Sequence, residues 1–319
     1  MQNYNSINIS IVIPVYNEEE ILHKLYNELK KYLTGELESH EIIFADDCST
    51  DNSMQLIKEL RALDSKLEYL SFSRNFGQQM AISAGLSVAK GKIVVVMDGD
   101  LQDPPCIIPA FYQKIQNGYD VVFGIRTKRK ENIFKRTLYK TFYYLLNKFS
   151  TIYIPKDSGD FCIMSRKVVN CINRLPEKER FIRGLRAWVG FKQIGILYER
   201  DYRYQGKSKY SFIKLLDLAF NGLISFSDIP LKIMLYFGFV VAFIGILGIV
   251  GLLCLLLFTN VHIEARGWTS LFSIILFLGG IQITTLGLVG YYITKIFLET
   301  KNRLPYVIKE ASDKGILLK

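Results

Sequence analysis

No GxGxxG turn and no GxxxxGK[ST] loop follows any of the apolar strand-like runs in these 319 residues, which argues against a dinucleotide oxidoreductase and against a P-loop ATPase. The five cysteines, Cys48, Cys106, Cys162, Cys171 and Cys254, form no CxxC pair and keep no regular spacing. They read as reduced thiols of a cytosolic compartment, not as a disulfide framework. The first ten residues, MQNYNSINIS, lack the basic and apolar regions of a signal peptide, so nothing there predicts secretion.

Charge is nearly missing from two long stretches in the last third. Leu231–Phe258 carries only Lys232 at its start, and Leu271–Leu298 is free of charge until Lys295. Each is long enough to cross a hydrocarbon layer of about 30 Å as a helix. Between them, 259–270 holds only His262, Glu264 and Arg266 as titratable groups, whereas Lys207, Lys209, Lys214 and Lys232 precede the first run and Lys295, Lys301 and Arg303 follow within or after the second. That asymmetry predicts two spans with both chain ends on the cytoplasmic side. The net charge of +10 is then explained by basic residues meeting anionic headgroups, and no nucleic-acid partner is needed.

What is there in strength is a succession of strand, polar loop and helix. Ile7–Pro14, Glu41–Ala45, Leu67–Phe72 and Ile93–Val96 are apolar and rich in β-branched or aromatic residues, and each is followed by a polar turn and a helical pattern. Tyr119–Ile125 reads as a further strand, closing at Arg126. Such βα repetition predicts an α/β domain with a mostly parallel sheet, whose polar turns converge on the edge beyond the carboxyl ends of the strands. The converging residues are Pro14 to Glu18, Asp46-Asp47, Asn75-Phe76-Gly77 and Asp98-Gly99-Asp100.

The most charged of these turns is in VVVMDGDLQDPP, Val94–Pro105, where Asp98, Asp100, Gln102 and Asp103 leave one strand together. Asp-Gly-Asp is common in surface turns, but here it stands where an open α/β sheet binds its ligand. Oxygen-only donors suit Mg²⁺ or Mn²⁺ better than zinc. Asp103, just before Pro104-Pro105, reads as the cap of the next helix.

The segments IVIPVYNEEE, ADDCSTD, SRNFGQQMAISAG, VVVMDGDLQDPP, SGDFCIMSRKVV, RFIRGLRAWVGF and RYQGKSKYSF, taken together, resemble the polyprenyl-phosphate glycosyltransferases of glycosyltransferase family 2, nearest to the bactoprenol glucosyltransferase type. Dolichyl-phosphate mannose synthases are more distant. The resemblance covers nearly the whole chain. It implies a GT-A, Rossmann-like catalytic domain over 1–208, an interfacial amphipathic segment over 209–230, two transmembrane helices within 231–298 and a cytoplasmic tail over 299–319.

It further implies a UDP-sugar donor and a polyprenyl-phosphate acceptor at the bacterial cytoplasmic membrane. Pro14, Tyr16, Glu18, Asp46, Asn75, Gly77 and Asp98 would form the nucleotide site, with Asp46 facing the uracil. Asp98, Asp100 and Gln102 would hold the metal, and Asp160 matches the aspartate assigned as base, although it could equally orient an arginine. Cys48 departs from the glycine that the family often has; a turn of positive φ there would strain it.

A phosphate monoester is already mostly a dianion at neutral pH, its second pKa being about 6, so deprotonating the acceptor contributes little. Cations that hold two anions together matter more. Arg126, Arg203 and Lys209 are the candidates, with Lys207 and Arg200 as further cations. Basic and aromatic residues alternate over Thr127–Ser150, a mixture suited to headgroups or to single-stranded nucleic acid, and the two apolar runs favour the membrane.

Two other readings compete. A processive polysaccharide synthase shares the fold, yet RGLRAW at 183–188 misses the [Q/R]xxRW spacing by one residue. A non-catalytic membrane scaffold is disfavoured by the intact acidic turn and Arg126. Gly238, Gly245, Gly248 and Gly251 would let helices pack closely, and the resemblance suggests a homotetramer.

Overall fold

The computed structural model describes residues 7–127, 158–178, 180–199 and 267–313, together with 231, 234–241, 243–245, 247 and 250. The chain forms two units, one from 1–147, 152–209 and 303–319, the other from 148–151 and 210–302.

The first unit is built on an eight-stranded sheet. Its strands are β1 (Ile9–Val15), β2 (His40–Asp46), β3 (Leu67–Phe72), β4 (Ile93–Val96), β5 (Val121–Thr127), β6 (Ser158–Ser165), β7 (Gln193–Glu199) and β8 (Ile308–Ala311). They lie in the order β7-β5-β6-β4-β1-β2-β3-β8. β1 pairs in parallel with β2 and β4, β2 with β3, and β5 with β7, while β6 and β8 run against their neighbours. This is a GT-A-like α/β arrangement with a mostly parallel sheet, as expected.

The helices of this unit are α1 (Leu22–Tyr32), α2 (Ser53–Leu63), α3 (Gln78–Val88), α4 (Ile108–Gln116), α5 (Arg166–Arg174) and α6 (Ile182–Trp188). Strand β1 is buried along its whole length, so its apolar residues serve both faces of the sheet. Ile9, Ile11, Ile13 and Val15 pack with Leu22, Leu25 and Leu29 of α1, Ile57 and Leu60 of α2, and Phe111 of α4. Val12 points to the opposite face, with Ile82 and Leu86 of α3, Val168, Val169 and Ile172 of α5, and Ile182 and Leu185 of α6. Each fully buried Leu or Ile contributes about 1.5–3 kcal/mol of burial. Helix α3 comes so close to β1 that a Cβ on Gly85 would stand 2.3 Å from Val12 Cγ1.

Two strands escape the parallel rule, and both have a physical reason. β6 enters between β4 and β5 with the opposite sense, which carries its first residues to the same edge as the carboxyl ends of β1 to β5. β8 follows the last apolar helix in the chain and covers the outer edge of β3, pairing Leu70 with Ala311 and Ser71 with Glu310. An uncovered β3 would offer a row of unpaired backbone groups.

In the second unit, α7 (Trp268–Thr300) contains a 24-residue window, Phe277–Thr300, long and apolar enough to cross a membrane. It coincides with the second expected span. Of the first span the described residues show a shorter apolar helix, Met234–Gly245, and most of the remainder of that expected span lies outside the described residues. The expected interfacial segments at 128–150 and 209–230 lie outside them as well.

Candidate active site

The carboxyl ends of β1, β2 and β4 and the first residues of β6 bring polar loops to one edge. The β1–α1 and β2–α2 loops are laced together. Asn17 accepts the Thr50 amide at 2.7 Å, Ser53 Oγ accepts the Glu18 amide at 2.9 Å, and Glu19 Oε2 accepts the Asn52 amide at 2.8 Å. Glu19 is thus a cross-loop tie. Asn17 and Cys48 both adopt left-handed backbone conformations, with φ of 53° and 61°. Asparagine tolerates this and cysteine does not, so the strain expected at Cys48 is present.

Among the expected nucleotide residues, Tyr16 is exposed while Pro14 is buried at the end of β1. Asp46 is buried, accepting the Ser49 amide at 3.1 Å and the Ser71 hydroxyl at 2.7 Å. Asp47 accepts the amides of Phe76 at 2.6 Å and Gly77 at 2.9 Å, so a buried carboxylate shapes the 73–77 loop. Asn75 is exposed on that loop, and Gly77 holds φ at +97° before α3 begins.

The acidic turn after β4 meets β5, β6 and β7 at their neighbouring ends. Asp98 accepts the side-chain amide of Gln78 at 2.7 Å, and its other oxygen lies 3.8 Å from Arg126 Nη2. The backbone amide of Gln102 donates to Asp100 at 3.1 Å, with Leu101 between them at φ 54°. Arg126 donates to the Tyr198 hydroxyl at 3.2 Å and to Asp103 at 3.5 Å, and Tyr198 in turn donates to Asp103. Asp103, expected from sequence to cap a helix, is fully buried and directs its carboxylate to these two partners.

Asp160 sits in strand β6. Arg183 grips it with two hydrogen bonds, Nε to Oδ1 at 3.1 Å and Nη2 to Oδ2 at 3.2 Å, and Gln79 donates to Oδ2 at 3.1 Å. The expected residues Asp98, Asp100, Arg126 and Asp160 therefore gather in one place, whereas Arg203 and Lys209 lie outside the described residues. Gln78, Gln79, Arg183 and Tyr198 were not anticipated. Gln78, Gln79 and Arg183 lie in the segments SRNFGQQ and RFIRGLRAW, whose resemblance to the family is the signal the sequence carries for them.

Electrostatics separates the two carboxylates. Burial, and then the neighbouring Asp103, Asp160 and Asp100, push Asp98 up to about 7, with Arg126 opposing. Burial would also raise Asp160, but Arg183, Arg186 and Gln79 outweigh it and hold the group below its ordinary value. Asp98 is thus short of positive charge and Asp160 is not. Asp98 and Asp100 offer oxygen donors only, the chemistry of a hard divalent ion. Among the described residues no three acidic, His or Cys side chains enclose a point, so Asp98 and Asp100 alone do not complete a coordination shell.

The family model described as glycosyl transferase family 2 matches residues 10–172, from β1 into α5. The chain belongs to glycosyl transferase family 2. Within this family it is 43% identical over 306 residues to an uncharacterized glycosyltransferase, YkcC, of Bacillus subtilis, covering 96% of this chain and 94% of that protein. It is 41% identical to the SfII prophage-derived bactoprenol glucosyl transferase of Shigella flexneri, over 95% of this chain and 98% of that one. The bactoprenol glucosyl transferase of Shigella phage SfV is 40% identical over 96% and 99% of the two chains. The resemblance read from the motifs is thus a family membership, and the chain is a glycosyltransferase.

Proposed function

We propose that this glycosyltransferase moves a hexose, glucose first among the candidates, from a UDP-sugar to undecaprenyl phosphate, with inversion, at the cytoplasmic face of a bacterial membrane. The observation that carries the reading is the near full-length match to the bactoprenol glucosyl transferases, which extends through the apolar C-terminal region. The lipid-linked sugar would then serve modification of a surface glycan.

Donor and acceptor are both anions, so the first task of the residues is to hold like charges together. Arg126, with Arg203 and Lys209, is assigned to the phosphates. Asp98 and Asp100, with Gln102, would hold Mg²⁺ or Mn²⁺, an ion that when bound neutralises charge on the departing nucleoside diphosphate. Pro14, Tyr16, Glu18, Asp46, Asn75 and Gly77 are assigned to the nucleotide. Asp160, engaged by Arg183 and Gln79, orients cationic neighbours, and the acceptor phosphate needs little proton removal at neutral pH.

The position of β8 supports the membrane topology. Residues 303–313 belong to the same folded unit as β1–β7, and in this reading both lie on one side of the bilayer, which favours an even number of crossings between them. With α7 as one crossing, the apolar run at 231–258 supplies the other. Assembly as a homotetramer is part of the same proposal and is read by the mass of the detergent-solubilised particle.

The test is to incubate the purified protein with radiolabelled UDP-glucose, undecaprenyl phosphate and Mn²⁺ or Mg²⁺, then extract with organic solvent. Label in a short, mild-acid-labile lipid is expected. Label in polymer, or none with any UDP-hexose, would overturn the reading.

A further inference from the structure

Helix α3 opens with two consecutive glutamines, and each holds a different carboxylate of the site. Gln78 Nε2 donates to Asp98 Oδ1 at 2.7 Å, at the end of β4, and Gln79 Nε2 donates to Asp160 Oδ2 at 3.1 Å, on β6. Successive residues of a helix diverge by about 100°, so one helical start can reach two strands that approach from opposite directions. The same Gln79 side chain accepts the Ile182 amide at 2.9 Å through Oε1, which fastens the start of α6. One residue further on, Arg183 takes Asp160 with two of its nitrogens.

We propose that Gln78 and Gln79, with Arg183, form a clamp of positioning residues that sets the Asp98 and Asp160 carboxylates at a fixed separation, Gln78 governing the donor side and Gln79 with Arg183 the acceptor side. The inference rests on the transfer reading above. The clamp aligns the two halves of the reaction. Buried carboxylates that accept several hydrogen bonds lose rotational freedom, and reacting groups held in place gain rate through orientation and not through tighter substrate binding. Helix α3 suits this task because Gly85, two turns further on, seats it directly on Val12 of β1.

The two glutamines are separable by experiment. Gln78→Met keeps the volume and removes the donor to Asp98. Gln79→Glu keeps the acceptor for the Ile182 amide and replaces the donor to Asp160 by a second carboxylate beside it, so it disturbs Asp160 while leaving the α6 brace in place. Calorimetry of Mn²⁺·UDP binding to the full chain in detergent is expected to show about a tenfold weaker Kd for Gln78→Met and a Kd within about twofold of wild type for Gln79→Glu. With UDP-glucose and undecaprenyl phosphate, Gln79→Glu is expected to lower kcat at least about tenfold at a nearly unchanged KM for UDP-glucose.

Wild-type affinity in Gln78→Met overturns the clamp, as does wild-type kcat in Gln79→Glu or a loss there that appears in KM alone. Should Gln79→Glu fail to fold, Arg183→Lys replaces it, with the same split expected and the same results overturning the idea. If the wild-type enzyme itself transfers no glucose to the lipid, the transfer reading falls, and calorimetry on Gln78→Met still decides the clamp.

Discussion

The backbone of Gly159 lies against the guanidinium of Arg126: a Cβ at Gly159 would stand 2.9 Å from Nη2 and 3.2 Å from Cζ. The second residue of β6 is therefore a glycine because the arginine of β5 passes across it on the way to Asp103, Tyr198 and Asp98.

Gly159→Ala should push Arg126 off this path. The guanidinium is mostly buried with Asp103 beneath it, so the displaced charge would leave a buried carboxylate short of a partner, costing about 1–3 kcal/mol. Glycosyl transfer should fall by at least about tenfold, because Arg126 also approaches Asp98. Denaturant melts alongside turnover check both, and an alanine variant with wild-type values for both would show that Arg126 has another route.

Cys48→Gly should have the opposite sign. The left-handed φ of 61° costs a non-glycine residue about 1–2 kcal/mol, and glycine recovers part of that after its larger entropy loss on folding. The expected gain is about 0.5–1 kcal/mol, visible as a higher midpoint in urea with an unchanged slope. An unchanged or lower midpoint would mean that the Cys48 side chain contributes contacts that offset the strain.

Much of this architecture was legible in the residues and some was not. The four βα units follow from apolar runs that alternate with helical periodicity, and their converging loops follow from parallel pairing alone. Asp98, Asp100 and Arg126 could be placed at one edge for that reason. The sense of β6 was hidden, because an apolar run such as Asp160–Met164 fits either direction. β8 was hidden too, since Ile308–Ala311 has only four residues and follows a membrane-length helix. Asp103 misled because Pro104 and Pro105 suit a helix start, whereas its partners Arg126 and Tyr198 come from β5 and β7. Gln79 and Arg183 carry no periodic signal; their meaning appears only when α3, β6 and α6 meet.

Acid should weaken the fold through Asp64. Burial alone would raise this carboxyl, but the Lys66 amide, the Tyr26 hydroxyl at 2.7 Å and Lys30 at 3.0 Å bring it down to about 2 from an ordinary 3.8. The unfolded chain therefore takes up this proton more readily than the folded one, so the contribution is fully present above pH 3.8 and is lost as pH falls from there toward 2. After allowance for solvent screening at a partly exposed pair, it amounts to about 1–2 kcal/mol. Asp64→Asn should lose that amount at pH 6 and show a shallower decline between pH 4 and pH 2, measured by urea midpoints across the range. Parallel declines in variant and wild type would assign the acid sensitivity to other carboxylates.

The chain after α7 should be needed by the 73–77 loop as much as by β3. Tyr306 stacks on Phe72 with ring centroids 5.1 Å apart, Phe72 meets Phe76 edge-on at 5.5 Å, and the Ser73 amide donates to Val307 at 3.0 Å. Phe76 is also tied by its amide to Asp47, so the aromatic row and the buried carboxylate brace the same loop from two sides. Tyr306→Ala removes the outer ring of the row and should cost about 1–3 kcal/mol, from lost burial together with lost stacking. The loop carries Asn75 and Gly77, so nucleotide affinity should fall with stability. Restoring a ring with Tyr306→Phe, which gives up only the contact of 3.3 Å with Ser87 Oγ, should recover most of both. If Tyr306→Ala destabilises the sheet while Mn²⁺·UDP binds as in wild type, then β8 serves to cover the sheet edge and Asp47 alone holds the loop.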